Sequence, residues 1–154
     1  MSEEKKNKNA YQAKNAWAEM GEEERKEVFA FNENYAKFLT ENKTEREFAS
    51  AAIAELEAAG FKNIKQYESL KKGDKVYVEN RSRALMAAVI GENDLKDGLK
   101  IIGSHIDSPR LDLKPNPLYE DGEMAMFKTH YYGGVKKYQW VTMPLALHGV
   151  VVKD

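Results

Sequence analysis

One of the chain's three histidines, His105, lies in a run whose residue types could do chemistry: Gly103-Ser104-His105-Ile106-Asp107-Ser108-Pro109. A neutral imidazole is a common metal ligand. In an extended backbone, residues two apart point to the same side, so Asp107 can reach the ring of His105. A carboxylate that accepts the second ring N–H sets the tautomer and raises the basicity of the ligating nitrogen, as behind many zinc histidines. Spacing alone leaves two readings open. The pair is either a braced metal ligand or a hydrogen-bonded pair on the surface.

The remaining candidates carry less chemistry. His130 and His148 have no partner at ligand spacing, which favours structural roles for both. Asp121 and Glu123 flank Gly122 and read as turn residues. Gly133-Gly134 lacks the Lys-Ser/Thr continuation of a phosphate loop, and close backbone packing accounts for it better. Tyr131, Tyr132, Tyr138 and Trp140 read as core or subunit contacts.

Composition narrows the classes. There is no cysteine, which excludes disulfides, thiolate nucleophiles and Cys-type zinc clusters. Lys+Arg 24 against Asp+Glu 25 leaves a net charge of -1, so no global charge calls for nucleic acid or an acidic membrane. With 154 residues, 42% hydrophobic and 32% charged, the chain suits one ordinary globular domain. Its apolar runs, such as 84–90, fall far short of the roughly 20 residues that span a bilayer. The polar, Lys-rich start is not a secretory signal, and a cytoplasmic location is expected.

The elements that must position His105 can be read in order. Residues 1–15 are rich in Glu, Lys and Asn and form a flexible arm, solvated or facing a partner subunit. Over 22–39, Val28, Phe31, Tyr35, Phe38 and Leu39 recur at helical spacing. Thr44 and Glu47 make a capping box ahead of a second stripe, Phe48, Ala52, Leu56 and Ala59, which Gly60 ends. Strand patterns follow at 75–79, 83–91 and 99–103, with a turn over 93–98. Residues 111–113 open another strand, and Asp121-Gly122 turns it into 124–127. Residues 131–134 read as a loop and 147–151 as a last strand. Helices leading into a mixed β-sheet give an α/β class. The strand 99–102 would deliver His105 to a carboxyl end of the sheet, where α/β proteins bind ligands.

The run from Gly103 to Trp140 resembles the signature of the aspartyl aminopeptidase family of zinc metallopeptidases. The shared elements are Ser104-His105-Ile106-Asp107-Ser108-Pro109, a turn at Lys114-Pro115-Asn116-Pro117, Tyr132-Gly133-Gly134 and Trp140, in that order. The resemblance implies a zinc-aminopeptidase-like α/β catalytic domain that carries two zinc ions in its complete site. It implies peptide substrates, trimmed at the amino terminus and in many members preferentially of Asp or Glu, and a homo-oligomer, a dodecamer in relatives. By that match His105 is a metal ligand and Asp107 the carboxylate that orients it. The family's bridging Asp, general-base Glu and other ligands would lie beyond residue 154, so 16–154 is read as a truncated amino-terminal part of the catalytic domain. After Trp140 many relatives read Trp-x-Asp-Arg-Pro-Leu. This chain has Val141-Thr142-Met143-Pro144-Leu145, which places the acidic preference in question.

Two rivals stand beside this reading: a non-catalytic assembly or interaction module of the same fold, and a two-zinc peptidase of broader specificity. Catalytic zinc takes about three protein ligands and an open position. The 154-residue chain alone is therefore expected to bind zinc weakly and to hydrolyse nothing. A peptidase assay of the isolated chain with added zinc checks this, and turnover abolished by His105→Ala would overturn it.

Overall fold

The computed structural model describes Tyr11 and residues 13–153, so most of the arm expected over 1–15, namely 1–10 and 12, lies outside the described residues. The described part divides into two compact units, with the boundary between Phe38 and Leu39. Among the described residues no helix is long and apolar enough to cross a membrane.

The first unit is helical. A short α1 (Ala16–Glu19) starts where the Asn15 side chain accepts the Trp17 N–H at 3.1 Å. The long α2 (Glu22–Glu41) opens on Glu22, Glu23 and Glu24, whose charges suit the positive end of the helix dipole. Trp17 meets Phe29 edge-on at 5.7 Å, and Arg25 donates to the Trp17 carbonyl at 2.8 Å. The helix forms as its periodicity predicts, but its stripe is not core: no residue of α2 is buried, and Phe31 stays 74% exposed. Periodicity says which face is apolar, not what covers it.

In the second unit α3 (Glu45–Ala58) is built as expected. Thr44 Oγ1 accepts the Glu47 N–H at 3.3 Å, while Glu47 Oε2 accepts the Thr44 and Lys43 N–H groups at 2.9 Å. The far end closes with Gly60 at φ +86, where Phe61 N bonds Leu56 O and Gly60 N bonds Glu57 O, both at 2.9 Å. That pairing is the Schellman closure, and it needs a residue tolerant of positive φ. A three-stranded mixed sheet follows, ordered β1-β2-β3: β1 (Lys62–Asn63) runs parallel to β2 (Lys75–Asn80), and β3 (Ala84–Val89) pairs antiparallel with β2. The β2–β3 turn puts Arg81 and Ser82 both at φ +54, a mirror-image hairpin turn made without glycine.

Helix α3 packs on this sheet, and Ala49, Val76 and Tyr77 are the buried hydrophobic residues among those described. The Tyr77 hydroxyl donates to Glu57 Oε1 at 2.5 Å, which raises the phenol's pKa. Lys75 Nζ donates to the Ala59 carbonyl at 2.9 Å, a cation at the negative end of the helix.

A separate antiparallel pair joins β4 (Arg110–Asp121) to β5 (Met124–Tyr132) through Gly122 and Glu123, both at positive φ. The short α4 (Lys137–Trp140) follows. Four expectations are corrected here. The segment 99–103 is not a strand; it has no ladder partner among the described residues, and Ile102 is fully exposed. The segment 147–151 is likewise not a strand. The Lys114-Pro115-Asn116-Pro117 run is no turn but a bulge inside β4, where the register jumps between Leu113 and Leu118. Proline lacks the N–H that a ladder needs, so two of them push the chain out of register. Tyr131 and Tyr132 belong to β5 rather than to a loop.

Thr44→Ala is expected to lower the unfolding free energy by about 1 kcal/mol in a urea titration. The hydrogen bond to His148 leads the causes that hold the Glu47 carboxyl below its ordinary pKa, so Glu47 stabilises the fold above the usual carboxylate range. That contribution is lost as pH falls through the lowered pKa. Stability measured from neutral to acid pH is expected to fall less steeply in Glu47→Gln than in the wild type.

Candidate metal centre

Residues 103–109 have no regular structure of their own and run directly into β4. Their geometry comes from neighbours. His105 Nδ1 lies 3.0 Å from both the backbone oxygen and Oδ1 of Asp107, as the two-residue spacing predicts. Both partners are acceptors, so Nδ1 carries a proton, and in the neutral ring the lone pair is on Nε2. Nε2 has no hydrogen-bond partner among the described residues, and the side chain is 84% exposed.

The second oxygen of Asp107 is also occupied. Tyr132 donates its hydroxyl to Asp107 Oδ2 at 2.5 Å. This bond leads the causes that hold the Asp107 carboxyl below its ordinary pKa, and it raises the Tyr132 phenol in return. Both shifts have one sense: the pair prefers carboxylate and neutral phenol.

Tyr132 is itself held. It pairs with Arg110 across the hairpin, and the guanidinium carbon sits 4.0 Å from its ring centroid. Arg110 Nε donates to Asp112 Oδ1 at 2.7 Å, and Nη1 lies 3.2 Å from Glu45 in the first turn of α3. Gly133 follows at φ +73, where a Cβ would stand 3.4 Å from Pro109 Cα. Gly133 thus lies beside Pro109, near enough that a side chain there would touch it. The close packing expected of the double glycine holds for Gly133; a Cβ at Gly134 meets nothing within 4 Å.

An open cleft of about 380 Å³ is lined by Glu45, Arg83, Ser104, His105, Asp107 and Tyr132 among others. The structure therefore brings His105 and Asp107 together and adds Tyr132, expected as a core or subunit contact, with Arg110 and Glu45, whose types and spacing carry no signal of a site. His148 bonds Glu47 at 2.8 Å, and His130 stacks on Tyr131 with ring centroids 5.2 Å apart. Among the described residues no three of His, Cys, Asp and Glu gather where they could hold a metal ion. One imidazole with a fixed tautomer and a free nitrogen fits a single ligand position.

The family described as Aminopeptidase I zinc metalloprotease (M18) matches residues 38–154. A probable M18 family aminopeptidase 1 of Clostridium acetobutylicum is 54% identical over 144 residues, covering 91% of this chain and 31% of that protein. One of Borreliella afzelii is 45% identical over 137 residues, covering 89% and 30%. The crystal structure of aminopeptidase I from Borrelia burgdorferi superposes with a TM-score of 0.80 at 43% identity, over 85% of this chain and 32% of that one. The corresponding Clostridium acetobutylicum structure gives 0.76 at 49% identity, over 94% and 33%. The chain thus spans about a third of the length of the relatives it matches.

Gly133→Ala combines a positive φ with contact against Pro109, and it is expected to cost about 1–2 kcal/mol in urea unfolding. Gly134→Ala, with open space, is expected to stay within about 0.5 kcal/mol of wild type.

Proposed function

The chain belongs to the aminopeptidase I zinc metalloprotease family, M18, and from that premise we propose that it is the amino-terminal part of a zinc-dependent metallo-aminopeptidase. On this reading residues 16–154 open the catalytic domain, and His105 supplies one metal ligand through Nε2. The observation that carries the proposal is the grip of Asp107 on His105 Nδ1, which leaves the other ring nitrogen a basic, unshared donor beside an open cleft. The family description supports zinc as the metal, with two ions in the complete site by the sequence resemblance. Peptides with free amino termini are the substrates, with Asp or Glu the first residues to try. The working form is a homo-oligomer in the cytoplasm.

When bound, zinc polarises a carbonyl and lowers the pKa of water. The residues of this chain do the preparatory work. Asp107 keeps His105 in the tautomer whose Nε2 can ligate, and its negative charge favours a cation nearby. His105 stays neutral while ligating, because a protonated ring has no lone pair left.

A second reading, a non-catalytic assembly module, draws on the lack of a gathered ligand set among the described residues. Hydrolysis of Asp-, Glu-, Leu- and Lys-anilides by the intact protein separates the two and ranks the first residue. Activity is expected to vanish on chelation and return with zinc. Asp107→Ala is expected to lower metal affinity or activity about 10- to 100-fold. Activity indifferent to both chelation and this substitution would sink the metallopeptidase reading.

A further inference from the structure

The imidazole of His105 is mostly exposed, and its hydrogen bonds among the described residues all go to Asp107. Its orientation is therefore set by Asp107 alone, through one backbone oxygen and one carboxylate oxygen, and of these only the carboxylate can turn. A carboxylate gripped through one oxygen can still turn about the bond to its Cβ. The Asp107 carboxylate is gripped through both: Oδ1 faces His105, and Oδ2 takes the Tyr132 hydroxyl at 2.5 Å.

Tyr132 is well suited to be the fixed point. Its ring lies under the Arg110 guanidinium, which Asp112 holds from the same strand and Glu45 from α3. The next residue, Gly133, lies beside Pro109, two positions beyond Asp107, where an added Cβ would come within 3.4 Å of Pro109 Cα. The phenol is thus anchored at its ring and at its backbone, and only the hydroxyl is committed to the carboxylate. Asp107 keeps 31% of its side chain exposed, so water could hydrate Oδ2 if that hydroxyl were removed. Water would satisfy the charge but would not fix the plane of the carboxylate.

We propose that Tyr132 is a positioning residue of the metal site, its hydroxyl locking the Asp107 carboxylate in the plane that holds His105 ready to ligate. This rests on the reading of His105 as a zinc ligand. Tyr132 touches neither metal nor substrate in the proposal and acts only through Asp107.

The test uses the intact protein and the variants Tyr132→Phe, Asp107→Asn, their combination, and His105→Ala. Zinc affinity is measured by competition with a chromogenic chelator, and kcat and KM on an aminoacyl anilide. The His105 Nδ1–H proton is followed by NMR. Tyr132→Phe keeps the ring under Arg110. It is expected to weaken zinc binding about tenfold, the lower end for a group behind a ligand. It should also lower kcat more than it raises KM and broaden the Nδ1–H signal by exchange. In the Asp107→Asn background the same change is expected to cost nothing further, since the two act in series.

Equal losses from Tyr132→Phe in both backgrounds would show a general structural role and overturn the proposal, even if the variant is poorly folded. So would wild-type zinc affinity in Tyr132→Phe while His105→Ala loses the metal, an outcome that leaves the ligand reading intact. If His105→Ala binds zinc as well as wild type, the ligand reading fails and the positioning role goes with it.

Discussion

A carboxylate has two oxygens, and the arrangement around the candidate site depends on how Asp107 divides them. One oxygen takes the proton of the His105 ring and the other the proton of Tyr132. Hydrogen bonds to an ionised acceptor are shorter and stronger than neutral ones. The two on Asp107 join a segment without secondary structure to the end of a strand. Without them residues 103–109 would be a tether between an unpaired apolar stretch and β4. With them the Nδ1 proton has a fixed place on a segment without secondary structure.

The constraint reaches further than the pair. Behind Tyr132 stands Arg110, and behind Arg110 stands Glu45 in the first turn of α3. Glu45 is placed by the Thr44–Glu47 capping box, because a helix start held at its first N–H groups does not fray. Glu47 in turn accepts from His148, far along the chain. A local motif, legible from two residues three apart, thus supports a chain of contacts that ends at His105. Within it Arg110 has two acidic neighbours, Asp112 and Glu45.

Much of the frame could be read from residue types. The capping box, the Gly60 stop and the Asp121-Gly122 turn are local, set by hydrogen-bonding side chains and by glycine's tolerance of positive φ. The failures have one physical origin. Residues 99–103 and 147–151 have strand-like side chains, yet a strand exists only where another backbone takes up its N–H and C=O groups. The prolines at 115 and 117 were legible as a break, but whether a break becomes a turn or a bulge depends on the opposite strand. The stripe on α2 marks an apolar face and leaves its cover undetermined.

The sequence by itself determined the pairing of His105 with Asp107, because neighbours two apart in an extended chain share a side whatever the rest of the fold does. It also determined the family, through motifs in a set order. Only the tertiary structure decided what stands on the other side of Asp107. Tyr132 lies 25 positions downstream, and nothing in its spacing separates a packed aromatic from a hydrogen-bond donor to the site. The register of β4 with β5, the close seat of Gly133 on Pro109 and the guanidinium over the ring bring that hydroxyl to the carboxylate. Register and close approach are properties of the folded chain, since both depend on contacts between residues that are distant in sequence.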